Sequence, residues 1–207
     1  MRENGPMRFG PAPFAAATLW FVGSVLLAQT GPDGSTPLHD AVLKGDLARA
    51  KTLIASGANP SAASRYNITP LSIAAVNGDA AMIELLLEAG ADANSVSEEG
   101  EPVLMTAALT GKTPAMRALL RRGAKVNVAE PFRGQTALMW AASEGNADAI
   151  DLLAEFGGEI KAKSKNGFTP LLFAVRNGHI EAAKALLRHG ANVNDTAPDG
   201  TSALNMA

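Results

Sequence analysis

The chain has 207 residues, 47 % of them apolar and 18 % charged, with a net charge of −2. That composition folds, and its scattered charges argue against the concentrated basic face that a phosphate backbone demands, so nucleic acid is not an expected partner. No cysteine is present, which removes both a disulfide framework and a thiolate metal site.

Residues Met1 to Pro13 are polar and interrupted by proline, with Arg2 and Arg8 against Glu3. Fifteen residues without a charge follow, Phe14 to Ala28 (FAAATLWFVGSVLLA), and Gln29 returns the chain to polar sequence. A basic start, a short apolar stretch and a small residue before a polar junction is the pattern of a cleaved export signal spanning 1–28. Two other readings stay open: a retained membrane anchor and a buried helix. A membrane crossing takes roughly 20 apolar residues, and Pro11 and Pro13 limit extension upstream. Export, most simply to a periplasm, is the expectation, and membrane contact follows only if the segment is kept.

After a short linker at 29–33 the sequence becomes periodic. Glycines recur at Gly45, Gly78, Gly111, Gly145 and Gly178, at spacings of 33, 33, 34 and 33. A second series, Gly57, Gly90, Gly123, Gly157 and Gly190, follows each of these by twelve residues. Each copy opens on Thr36-Pro37, Thr69-Pro70, Thr136-Ala137 or Thr169-Pro170, a helix start whose hydroxyl can accept from an orphan amide. The first glycine series separates two short helices, and Asp46, Asp79 or Asn146 can begin the second. The second series stands where a left-handed residue ends a helix. A polar turn at Asn67, Gly100, Gly134, Gly167 or Gly200 then restarts the cycle.

The copies TPLHDAVLKGDLARAKTLIASGAN, TPLSIAAVNGDAAMIELLLEAGADAN and TPLLFAVRNGHIEAAKALLRHGANVN resemble ankyrin repeats. The resemblance covers residues 34–207, divided 34–66, 67–99, 100–133, 134–166 and 167–199 with a partial copy at 200–207. It implies an all-α repeat solenoid of stacked helix-turn-helix units with short β-hairpin fingers, in which each repeat touches only its neighbours.

Departures from the pattern carry expectations of their own. Pro102-Val103 replaces Thr-Pro in the third copy, which should weaken that helix start. The fourth copy reads Gly157-Gly158-Glu159, with Lys161 where others have Asn94, Asn127 and Asn194, so its finger should be looser. The spacing of 34 places one extra residue near Glu130-Pro131, giving a longer tip that ends in Phe132 and Arg133. Asp40, Lys44, Arg49 and Lys51 make the first copy polar, as suits a terminal cap. The last copy stops early in its first helix, which suggests a longer natural chain and leaves Leu186 and Leu187 of the fifth repeat wet.

The sequence offers no catalytic constellation. Gly111-Lys112-Thr113 looks like the tail of a phosphate loop, but the glycine required five positions earlier is Thr106. His39, His179 and His189 lack metal-site spacing, and His39 holds the family's Thr-Pro-Leu-His position, where the ring bonds around the repeat turn. The sequons at Asn67 and Asn194 fall at or near finger turns and read as turn chemistry. No cofactor is expected.

Ankyrin proteins bind partners along finger tips and inner-helix faces, so the resemblance implies a protein partner and no enzyme activity. The candidate contact residues are Tyr66, Phe132, Arg133, Gln135, Trp140, Phe168, Phe173 and Arg176, centred on repeats three to five. Aromatic side chains and arginine on a rigid groove are common anchors. Trp140 and Phe173 share one slot on the inner helices and can equally pack against the adjacent helix.

Overall fold

The computed structural model describes residues 30–206; the export segment expected at 1–28 lies outside them. Eleven helices follow in order among the described residues: α1 (Pro37–Leu43), α2 (Leu47–Ala55), α3 (Pro70–Asn77), α4 (Ala80–Glu88), α5 (Val103–Thr110), α6 (Thr113–Arg121), α7 (Ala137–Ser143), α8 (Ala147–Glu155), α9 (Pro170–Arg176), α10 (Ile180–Arg188) and α11 (Ala203–Met206). None is long and apolar enough to cross a membrane.

The odd-numbered helices form an inner layer, α1 on α3 and so on to α9 on α11, and the even-numbered ones an outer layer. Alanine makes the inner layer close-packed: Ala41, Ala74, Ala75, Ala107, Ala108, Ala141, Ala142 and Ala174 are fully buried. A helix bearing so many methyl groups lets its neighbour approach closely, which is why pairs of helices only seven to nine residues long can stack. Leucines, methionines and isoleucines of the outer helices (Met82, Leu86, Met116, Leu119, Ile150, Leu153) fill the space between the layers.

The helix starts follow the sequence. Thr69 Oγ1 accepts from the amide of Ser72 at 3.2 Å, and Thr169 Oγ1 from that of Leu172 at 3.4 Å. His39 Nδ1 accepts from the Thr36 amide at 3.0 Å, which leaves the proton on Nε2 to donate to the Ile68 carbonyl at 3.0 Å. One buried imidazole thus clamps repeat one to repeat two. Asp46 and Asp79 cap α2 and α4, but Asn146 does not cap α8: its side-chain amide reaches back to the Ala108 carbonyl at 3.0 Å instead. Pro102 supplies no side-chain cap to α5. Thr136 Oγ1, at the start of α7, is buried with no partner among the described residues.

The fingers are shorter than the hairpins expected. Among the described residues no strand forms, only isolated bridges such as Val96 with Pro102 and Ala129 with Thr136. Each finger closes instead on a backbone bond across its turn, with a second from the amide of the positive-φ residue back to the residue that opens it. Ser64 to Ile68, Ser97 to Glu101, Ser164 to Phe168 and Ala197 to Thr201 all span four residues, whereas Glu130 to Gln135 spans five. The inserted residue is in the third finger, where the spacing put it. The turn needs a positive φ, which Gly supplies in the later fingers and Asn67 in the first (φ 53°).

Two junctions carry an asparagine bracket. Asn94 donates to Gly123 O at 3.2 Å and accepts from Lys125 N at 2.8 Å. Asn127 repeats this with Gly157 O (3.0 Å) and Glu159 N (2.8 Å) one repeat on. Ser61 and Lys161 hold the matching positions of the first and fourth repeats. An ammonium cannot accept from an amide, so Lys161 cannot complete a bracket; that removes a tie across the fourth junction but none from the turn of the finger itself, where Ser164 bonds Phe168 as its counterparts do elsewhere. Lys161→Asn should add about 1 kcal/mol to the stability of the fourth junction, and Asn127→Ala should remove a similar amount from the third. Thermal melts of the two variants test this, and a stabilising Asn127→Ala would refute it.

The polar first repeat shows ion pairs of Asp40 with Lys44 (2.9 Å) and with Arg49 (3.6 Å). At the other end Leu186 is fully buried, contrary to the sequence expectation, because α10 packs on α8. Leu187 is 41 % exposed and lines an apolar cleft with Val175, Ile180 and Ala183 on the open face of the stack.

Candidate functional site

The eight residues singled out in the sequence fall into three places. Tyr66 stands exposed on the first finger. Phe132, Arg133, Gln135 and Trp140 line a cleft of about 300 Å³ beside Glu99, Glu101 and Glu130. Phe168, Phe173 and Arg176 form a stack one repeat further on.

The cleft is organised by Glu130. In fingers one, two and four a serine hydroxyl accepts from turn amides, as Ser97 Oγ does from Glu99 N and Glu101 N. The third finger has one more residue to span, and a longer carboxylate replaces the serine. Its oxygens accept from the amides of Phe132 (2.6 Å), Arg133 (2.8 Å) and Gln135 (2.9 Å), and the residue is only 5 % exposed. Burial alone pushes this carboxyl up. The amides of Gln135, Arg133 and Phe132, with the Lys165 charge, outweigh that and hold it below the ordinary glutamate value. Lys165 also donates to the Pro131 carbonyl, tying finger four to finger three.

With the tip held rigid, its side chains point outward. Phe132 is 80 % exposed, the most exposed large apolar residue described. Trp140 is half-buried and donates its indole N–H to Gln135 Oε1 at 3.0 Å, so the ring has a fixed face toward the cleft. Glu101, on the opposite wall, is raised above the ordinary value by burial and then by the charges of Glu99 and Glu130, with Arg133 opposing. The cleft therefore sets the rings of Phe132 and Trp140 and the Arg133 guanidinium beside the carboxylates of Glu99 and Glu101.

In the stack the Arg176 guanidinium sits 5.0 Å from the Phe168 ring centre and 5.2 Å from that of Phe173, and the two rings lie 5.6 Å apart. Phe173 is only 6 % exposed, so it belongs to the core and supports Arg176 from below. Phe168 is half-buried and packs against the core as well.

One feature escaped the sequence reading. Leu43, Val76 and Leu109, each two residues before a glycine of the first series, are 64, 58 and 43 % exposed. They make an aliphatic stripe along the inner helices of repeats one to three, and Ser143 and Arg176 take the same position in repeats four and five. The signal was the glycine period itself, read two positions upstream. Among the described residues no group of three acidic or imidazole side chains is placed to hold a metal ion.

A family model of ankyrin repeats in three copies matches residues 38–130 and again 104–197. The chain belongs to the ankyrin-repeat family. An ankyrin array is a protein–protein interaction module, and the tips and grooves described above are the part of the repeat that its periodic framework leaves free to vary.

Curated relatives share the repeat and little more. Over 74 residues the chain is 34 % identical to the palmitoyltransferase AKR1 of Lachancea kluyveri, taking in 36 % of this chain and 10 % of that protein. Over 77 residues it is 39 % identical to the B-cell lymphoma 3 protein homolog of Mus musculus, 37 % of this chain and 17 % of the relative. The palmitoyltransferase AKR1 of Saccharomyces cerevisiae is 34 % identical over 70 residues, 32 % of this chain and 9 % of that one. The chain thus spans less than a fifth of each relative's length, at the level of the ankyrin repeats.

Proposed function

We propose that this ankyrin array is a non-catalytic binding module that holds one protein partner on the third and fourth fingers and the adjoining inner-helix face, and that it works outside the cytoplasm. The observation that carries the binding surface is Phe132: a large aromatic ring, 80 % exposed, on a tip whose backbone is fixed by a buried carboxylate. A rigid framework lets an exposed ring contact a partner without an ordering cost, as interface hot spots require. Arg133 and Trp140 supply the neighbouring contacts, and Arg176, propped on two phenylalanines, extends the surface to repeat five. Neither nucleic acid nor a cofactor has a place in this reading.

The test is capture from a periplasmic extract. Phe132→Ala with Arg133→Ala should melt within about 0.5 kcal/mol of the parent, since both side chains are exposed. Capture should fall more than about tenfold. Unchanged capture would sink the binding site. Phe168→Ala is a less clean variant because its ring is half-buried, so part of any loss would come from local unfolding.

Export is supported by Arg2, Arg8 and the uncharged run Phe14 to Ala28. Sequencing the N-terminus of the protein isolated from cells separates the cases: a start at Gln29 supports a cleaved signal, and an intact Met1 supports a membrane-tethered scaffold. A second reading, an array that targets a longer enzyme or transducer, draws on the relatives, in which the matched repeats occupy 9 to 17 % of much longer proteins.

A further inference from the structure

The five fingers form a continuous row. Asn67 Nδ2 donates to Val96 O at 2.8 Å, joining the first finger to the second, and Lys165 N donates to Arg133 O at 2.9 Å, joining the third to the fourth. Between these links the contact is steric. A Cβ on Gly100 would lie 2.8 Å from the Pro131 ring, and one on Gly167 would lie 2.8 Å from Pro198. Side chains at the tips therefore keep a fixed order along one edge of the molecule.

The charges in that order have a particular symmetry. Finger one carries Arg65; finger two carries Glu98 and Glu99; finger four carries Lys163 and Lys165; finger five carries Asp199. All six are exposed. Finger three, in the middle, presents Phe132, and its Arg133 is felt by Glu101 of the same chain. Reversing the five fingers about finger three turns the sign of each outer one into its opposite, two against four and one against five; Asp33, on the turn before finger one, lies beyond the row and faces no counterpart. A partner unrelated to this chain imposes no such antisymmetry. A contact that uses the same patch on both members requires it, because residue i must meet j while j meets i.

We propose that the finger row is self-complementary and that two copies of this chain associate tip to tip, antiparallel, about a two-fold axis at Phe132, with Glu98 and Glu99 of each facing Lys163 and Lys165 of the other and Arg65 facing Asp199. The two Phe132 rings meet at the axis, where each covers the other's apolar face. A parallel arrangement would instead set like charges against each other at all four outer fingers. This proposal rests on the tips being a binding surface, and adds that one occupant of that surface is a second copy.

Analytical ultracentrifugation of the full chain as isolated from cells, at low and at high salt, tests it. The parent should dimerise at low salt and weaken as salt screens the rim charges. Glu98→Lys with Glu99→Lys should weaken association by about tenfold or more, and so should Lys163→Glu with Lys165→Glu. An equimolar mixture of these two variants should recover the parental dimer, since both sets of opposed charges are then restored in the mixed pair. Phe132→Ala, which leaves the charges and the fold alone, should weaken the dimer as well. A protein that is monomeric at every concentration overturns the proposal, as does a dimer indifferent to both charge swaps or a mixture that does not recover. Loss of partner capture in the Phe132 and Arg133 variants of a strictly monomeric protein would keep the binding reading and sink only this one.

Discussion

Replacing Glu130 with glutamine is expected to lower the stability of the array by about 2 kcal/mol at neutral pH, the range for charge-assisted hydrogen bonds. Both carboxylate oxygens accept from backbone amides in the third finger, and the Arg133 amide reaches both of them. Glutamine keeps one acceptor and turns an N–H₂ toward amides that also donate, so at least one buried N–H loses its partner. The sign with pH follows from the depressed carboxyl. An unfolded glutamate titrates near 4.3, and the folded one titrates lower. The stabilisation is therefore fully present above about pH 4.3 and is lost as pH falls through the folded value. Urea melts of the parent and Glu130→Gln across this range should show a gap that is wide at pH 7 and narrows below about pH 4. A gap of constant width would mean that the cap does not depend on charge.

The largest loss from a single core change is expected at the centre of the stack. Leu119 of α6 is fully buried, and α6 packs on both α4 and α8. Leu119→Ala should cost about 3 kcal/mol, the middle of the range for a leucine truncated in a rigid core. In a solenoid each repeat is stabilised by its two interfaces, so the same change in repeat one, which has a single neighbouring repeat among the described residues, should cost less. Leu53→Ala is the comparison, in α2, which touches only α4 among the outer helices. Paired denaturant melts decide it. A Leu53 loss as large as that of Leu119 would show that the outer layer is not coupled from repeat to repeat.

The array was legible because its physics is periodic. Gly57, Gly90 and their successors fall just past the ends of second helices with positive φ, and the five-residue span at Glu130 lies where the spacing of 34 located it. What stayed hidden depends on neighbours that periodicity does not name. Phe173 and Phe132 are both aromatics beside the proposed surface, yet one is 6 % exposed and the other 80 %, because a helix covers the first and nothing described covers the second. Glu130 reads as a surface acid until the extra residue leaves three amides converging on it. Leu43, Val76 and Leu109 go unnoticed in the sequence, since apolar residues at helical spacing beside buried alanines usually are core. Leu186 and Leu187 are adjacent in the sequence, but the helix turns one inward onto α8 and leaves the other partly exposed among the described residues.

The uneven distribution of asparagine brackets has a mechanical consequence. Asn94 and Asn127 rivet repeats two, three and four through neutral brackets, whereas the first joint relies on His39 and the joint between repeats four and five on Asn177 and His179 at the Ser143 carbonyl and on Arg188 and His189 at Asp151. The Arg188–Asp151 pair is exposed, so added salt should loosen that last joint while leaving the neutral brackets of the centre unchanged. The stiffness of the array therefore answers to ionic strength at its last joint and hardly at all at the brackets of the middle, where the edge of fixed tips is anchored.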